Sequence, residues 1–190
     1  MKRVCDALLA GDKETAARIV REDYPLLPQQ RVQRTYDPVK ATLVFVRDGF
    51  IDRYAGSQLV HPGALVLVTR LLPGEFPMHP NWKFGETHMA YWELFPIIDH
   101  VVPVTRGGGD DESNWVTTSA LRNSAKAHWT LEELGWTLFP PGDFNLWDGL
   151  MEWMLEYVKK DPACLEDRNI KRWHGAAVRA LAIHRSQPTK

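Results

Sequence analysis

The chain predicts an α+β fold: a strand–loop–strand–helix unit flanked by helices on both sides. Three stretches carry that reading. Between Pro96 and Lys126 an apolar run ends in the adjacent pair Asp99-His100. A loop of glycines and acids follows, then Asn114, the β-branched run Trp115-Val116-Thr117-Thr118, and a helix-like segment bearing Asn123 and Lys126. Upstream, Asp12 stands before an apolar stripe of Ala16, Ala17, Ile19 and Val20. Downstream, residues 143–160 and 165–184 place Leu146, Leu150, Met154, Tyr157 and Val158, then Ile170, Trp173, Ala177 and Leu181, at helical spacing.

Each element has its own local cause. Residues 2–10 read as a short helix stopped by Gly11, and Asp12 caps a second from Lys13 to about Arg21. Residues 28–37 read as an exposed linker. Asp37-Pro38 with Gly49 beyond brackets a helix at 38–48, although Val44 and Val46 would also suit a strand. Residues 47–56 are turn-rich. Pro62 to Leu72 fits a helical face through Leu65, Val68 and Leu72, while Leu65-Val66-Leu67-Val68 is also strand-like. Residues 73–90 are loop-rich, and Tyr91–Ile98 leads into Asp99 as the first strand. Thr130-Leu-Glu-Glu133 is a capping box, Pro140-Pro141-Gly142 a breaker, and Asp161-Pro162 a helix stop. The domain reading is an N-terminal helical segment at 1–37, a core at 38–130 and a C-terminal helical segment at 131–190 packed on it.

Composition sets the limits. With 190 residues, 44% hydrophobic and 25% charged, the chain can bury a core of ordinary size. Its net charge of −1 gives no global field for a polyanion, so a nucleic-acid partner requires a local basic patch. Cys5 and Cys164 lie far apart and form no Cys-x-x-Cys, which suits a reducing, cytoplasmic setting. No apolar run approaches a membrane span, and the N-terminus is not a signal peptide. Oligomeric state is not legible.

The stretch 96–126 carries the chemistry. A carboxylate and an amide oxygen suit a hard divalent cation that keeps several waters. An imidazole beside them is suited to taking a proton from water near neutral pH. Each residue also has an ordinary use: Asp-His as a turn pair, Asn114 as a turn residue, Asn123 and Lys126 as a solvated helix face. His79, His88 and Glu93 are outlying candidates for the same site, with structural hydrogen bonding the commoner use of a loop histidine.

Asp99-His100-Val-Val-Pro103, Arg106-Gly107-Gly108, Asn114 and Asn123-x-x-Lys126 together resemble the HNH motif of the ββα-metal nucleases. Asn114 follows His100 by fourteen positions and Asn123 follows Asn114 by nine, spacings similar to the family's. Asn123 stands where many members have His, a variant also found in the HNH domains of CRISPR effector nucleases. The resemblance spans roughly residues 38–130. It implies a ββα-metal core and metal-dependent hydrolysis of DNA. His100 would be the general base and Asn114 would pin its loop. Asp99 and Asn123 would hold a divalent ion, Mg2+ first and Mn2+ as the alternative. Arg106, Arg122 and Lys126 would hold phosphates. Neighbouring strand side chains point to opposite faces, so a bend or bulge would be needed for Asp99 and His100 to flank one phosphate. Attack by water predicts 5′-phosphate and 3′-hydroxyl ends.

The sequence departs from the family in two places. The acid often found two residues before the Asp is Ile97 here. The four cysteines of the family's structural zinc knuckle correspond to Asp52, Ala55, Ser119 and Arg122, so no structural zinc is expected. Packing of tryptophan and aliphatic side chains is expected in its place. The rival expectation is a non-catalytic nucleic-acid-binding protein that keeps the fold.

Overall fold

The computed structural model describes residues 1–25 and 36–186. The linker expected at 28–37 lies largely outside them. The chain divides into two compact units, residues 1–33 and 34–190. The first is a helical hairpin of α1 (Lys2–Leu9) and α2 (Lys13–Asp23). Asp12 caps α2 by accepting from the Thr15 amide at 2.9 Å. Val4, Ala16 and Ile19 form its small core, while Ala17 and Val20, expected on the apolar side, face outward.

The second unit is α+β. Its helices are α3 (Pro38–Arg47), α4 (Pro62–Leu71), α5 (Met89–Leu94), α6 (Ala120–Lys126), α7 (Leu131–Leu134), α8 (Met151–Lys160) and α9 (Arg168–Ser186). Its sheet is one antiparallel hairpin, β1 (Pro96–His100) against β2 (Trp115–Ser119), with Pro96 opposite Ser119 and His100 opposite Trp115. The strand alternatives for α3 and α4 give way to helices. Each begins with proline at its first position, where the missing N–H has no intrahelical acceptor to lose. One apolar core joins α3, α4, α8 and α9 to the hairpin through Phe45, Leu67, Ile98, Met154, Ile170 and Leu181. The C-terminal helices therefore share the core of the hairpin.

Three expected boundaries move. Residues 91–94 belong to α5, and β1 starts only at Pro96. The helix expected to be capped by Asp143 or Asn145 starts only at Met151. Gly149 and Leu150 sit at φ of 68° and 62°, a left-handed pair that no α-helix crosses. Asp148 caps the helix instead, accepting from the Glu152 amide at 2.7 Å, and Leu146 is exposed. The last helix begins at Arg168 because Asp167 accepts from the amides of Asn169 and Ile170.

Two buried carboxylates stand where the zinc knuckle was considered. Asp52 accepts from the Ser119 amide at 3.0 Å, the Thr118 hydroxyl at 3.0 Å and the Tyr54 amide at 2.9 Å. Asp48 accepts from the Thr117 amide at 2.7 Å and from Arg47 and Arg53. The turn after α3 is thus stitched to the outer edge of β2 by polar bonds. The expectation of apolar packing alone is corrected: a carboxylate accepting several N–H and O–H bonds is satisfied without water. Gly49 and Gly142 make the turn possible, since a Cβ on Gly49 would lie 2.4 Å from the Gly142 backbone.

His61 caps α4, with Nδ1 accepting from the Gly63 amide at 3.1 Å. The ring is fully buried against Phe50 and Trp173, and Nε2 has no partner. Burial lowers its pKa from 6.5 to about 3.

Asp52→Ala is expected to cost about 3–5 kcal/mol, because it orphans two strand-edge donors. Urea unfolding at pH 7 measures this, and a loss below about 1 kcal/mol would remove Asp52 from that role. His61 predicts a pH effect of definite sign. The unfolded chain protonates it near pH 6.5 and the fold resists down to about pH 3. Stability is therefore full above 6.5 and falls as pH drops through that window, by at most about 1.4 kcal/mol per unit. Urea midpoints at pH 7 and pH 5 should differ less in His61→Asn than in the wild type; equal differences would contradict the assignment.

Candidate active site at the end of the hairpin

The loop between the strands is built to a fixed shape. Pro103 leads into a 3₁₀ turn at Val104–Arg106, and Gly107 then takes φ of 89°. Gly108 packs where a Cβ would lie 1.9 Å from the Val102 carbonyl oxygen and 2.7 Å from Asn114 Nδ2. Asn114 closes the loop. Its Oδ1 accepts from the Val102 amide at 2.9 Å, and its Nδ2 donates to the Val102 and Gly109 carbonyls at 2.8 Å. An amide is the side chain that can both donate and accept in this way.

His100 is the last residue of β1 and is buried with Trp115, its cross-strand partner. Asp110, from the acidic part of the loop, brings Oδ1 within 2.8 Å of His100 Nε2. Trp115 Nε1 lies 3.0 Å from His100 Nε2 and 3.2 Å from the same Asp110 oxygen. An indole N–H only donates, and the half-exposed Asp110 carboxylate only accepts when ionised. The proton arrangement that satisfies all three has His100 Nε2–H and Trp115 Nε1–H both donating to Asp110. This leaves Nδ1 of His100 with the ring's lone pair. The glycine–acid loop, which in sequence signified only a turn, thus supplies the residue that orients the imidazole.

Asp99 faces the other side of the hairpin. Its Oδ2 accepts from the Tyr54 hydroxyl at 2.7 Å and pairs with Lys126 Nζ at 2.9 Å. Burial, reinforced by the Asp99 charge, holds the Tyr54 phenol far above its ordinary pKa, so it stays a neutral donor. Lys126 is completely buried and also donates to the His100 carbonyl at 2.7 Å. Its expected role on a phosphate is therefore corrected to an internal one: it ties α6 to the end of β1. Asn123 lies one turn earlier on α6, half-buried, and its side chain has no hydrogen-bond partner among the described residues.

β1 and β2 pair in regular register as far as His100, so the bulge considered from sequence is not present within the strand. Asp99 and His100 point to opposite faces, Asp99 to Tyr54 and Lys126 and His100 to Asp110 and Trp115. Arg122 is exposed with its guanidinium over the Trp136 ring at 5.9 Å, and Arg106 pairs with Glu133 at 3.2 Å. The outlying candidates lie elsewhere. His79 Nδ1 accepts from the Asn81 amide, His88 Nδ1 caps α5, and Glu93 is exposed.

The donor chemistry of this end fits a hard divalent ion in type. Asp99 Oδ1 has no hydrogen-bond partner among the described residues, and the Asn123 amide is a second oxygen donor. Two protein oxygens with water completing the shell is a common magnesium arrangement. No group of three or more His, Cys, Asp or Glu side chains able to hold a metal occurs among the described residues. The Lys126 ammonium beside Asp99 opposes a second cation, which argues for weak affinity.

If Lys126 is an internal strut, Lys126→Met should cost about 3–5 kcal/mol, since it leaves a buried carboxylate unpaired, whereas Arg122→Met should leave the urea midpoint unchanged. Equal, small effects of the two substitutions would return Lys126 to the surface.

No described helix is long and apolar enough to cross a membrane. Comparison with family models, with curated proteins and with solved structures finds no match for this chain.

Proposed function

We propose that this protein is an HNH-type, metal-dependent endonuclease acting on DNA phosphodiesters. The observation that carries the reading is the set of bonds around His100. The imidazole at the end of the hairpin is held by Asp110 and Trp115, its loop is pinned by Asn114, and one ring nitrogen keeps its lone pair. In a neutral imidazole that donates from Nε2 to a carboxylate, Nδ1 is the atom left to accept a proton.

In this reading His100 Nδ1 takes the proton of a water that attacks phosphorus, and Asp110 stabilises the imidazolium that forms. Asn114 keeps the loop from shifting as that charge develops. When bound, a magnesium-class ion supplies charge stabilisation to the phosphate and the departing 3′-oxygen; Asp99 and Asn123 are the groups that would hold it. Lys126 fixes the relative position of the His100 backbone and α6. Arg122 offers an exposed cation to a neighbouring phosphate. Because Asp99 and His100 lie on opposite faces, the substrate crosses the end of the hairpin, where one phosphate reaches both. The products are 5′-phosphate and 3′-hydroxyl ends.

A second reading has a specific observation behind it. The buried Lys126–Asp99 pair already neutralises the carboxylate, which would suit a nucleic-acid-binding protein that keeps the fold without cleaving. Plasmid nicking with Mg2+ or Mn2+ separates the two. His100→Ala should lower the nicking rate by about 10²–10⁴-fold while the protein remains folded by circular dichroism. Fresh nicks should be sealed directly by a DNA ligase. Wild-type rates in folded His100→Ala protein would sink the nuclease reading, and a gel shift without nicking under either metal would favour the binder.

A further inference from the structure

The active-site reading leaves one basic feature unused. α9 carries five Arg and Lys residues and no acid, in a chain of net charge −1. Three of them, Lys171, Arg172 and Arg179, line a groove of about 600 Å³ with His174 and Gly175, closed on the far side by Asp37 and Pro38 at the start of α3. Lys171, Arg172 and Arg179 are exposed, and none has an ion-pair partner among the described residues. The Arg172 guanidinium lies over the Trp173 ring at 5.3 Å, and Arg179 bonds the Gly175 carbonyl at 3.2 Å, so both cations are held along the groove.

Gly175 leaves the middle of the groove bare. A Cβ there would meet only Arg179 Nη2, at 3.7 Å. From Lys171 to Arg179 the helix rises roughly 12 Å. Phosphates along one strand of a duplex recur roughly every 3.4 Å of axis. The row therefore matches several successive phosphates better than a single one. Its position matters as well. Tyr36 packs edge-on against Trp115 at 5.1 Å, and exposed Lys40 lies over the same indole at 4.4 Å. The next residues after Tyr36 form the groove wall. The groove thus begins one short step from the indole that holds His100, on the order of 10–15 Å away by chain geometry. Asp37 is the one carboxylate in the lining. It stands just before α3, whereas the cations come from α9.

We propose that this α9 groove, extended by Lys40, binds the sugar–phosphate backbone of the DNA strand flanking the phosphate at His100. The binding is independent of sequence, since its contacts are cations on phosphates rather than groups on base edges. The proposal rests on the nuclease reading for its geometry but not for its test.

The test is fluorescence anisotropy of a labelled DNA duplex with full-length His100→Ala protein across a salt series. Two further changes are added separately to it: the triple Lys171→Gln/Arg172→Gln/Arg179→Gln, and Gly175→Glu, which puts a carboxylate beside Arg179 without a steric clash at its Cβ. Lys159→Gln/Lys160→Gln on α8 serves as the control for loss of positive charge away from the groove. The triple variant is expected to weaken binding at least about tenfold and to reduce the slope of log K against log salt by about 2–3. Gly175→Glu should weaken binding with its circular dichroism unchanged, and the control should do neither. Unchanged affinity and slope in both groove variants would overturn the proposal, as would absence of DNA binding by the parent. Equal weakening in the control would overturn it too, as would heparin binding that needs the groove while DNA binding does not. Groove-dependent binding by a wild type that nicks no plasmid with either metal would uphold the groove and defeat the nuclease reading.

Discussion

The hairpin depends on two buried carboxylates. A two-stranded sheet has two open edges and is marginal on its own. In this chain Asp48 and Asp52 take the outward amides of β2 at Thr117 and Ser119, so one edge is finished by side chains. The same turn presents Tyr54 to Asp99, and Arg53 ties it to the 139 region through the Phe139 carbonyl. Asp99 is thus oriented from two sides, by Tyr54 of this turn and by Lys126 of α6. A metal crosslink would hold the same two segments with soft ligands. Carboxylates do it with short charge-assisted bonds, and burial of Asp48 and Asp52 strengthens them.

The end of the hairpin combines a tight polar network with a short reach to solvent. Asn114, Gly108 and the Val102 backbone form a unit in which no side chain can be enlarged without breaking a bond. Asp110 and Trp115 fix the imidazole from one side, and Lys126 fixes its backbone from the other. Such overdetermination is what a positioned proton acceptor requires, because a small displacement of the base costs more rate than stability.

Much of this was legible in the sequence, for identifiable reasons. Proline at the first position of α3 and α4, Asp12 before α2 and the Thr130–Glu133 box are local devices, and each acts where the residues alone place it. The apolar run into Asp99 and the β-branched run after Asn114 marked the two strands. Other features depend on partners far along the chain. Nothing near Asp52 signals that its carboxylate will meet Ser119. Lys126 reads as surface until α6 docks on β1. Asp110 sits among three acids and three glycines, and only the folded loop singles it out. Leu146 and Leu150 fit the helical stripe of α8, but the left-handed turn at Gly149-Leu150 is a backbone choice that periodicity does not encode.

The pairing of α3 with α9 has a consequence for the order of events during synthesis. The apolar face of α3, with Val44 and Phe45, is completed by residues of α9 more than a hundred positions later. At ribosomal rates of roughly 5–20 residues per second, that face waits on the order of ten seconds for its partner. The hairpin can close in microseconds once its strands have emerged, but it then lacks the floor on which it rests. The nascent chain therefore carries an exposed aliphatic surface until α9 has been made, and the core beneath the hairpin closes only then.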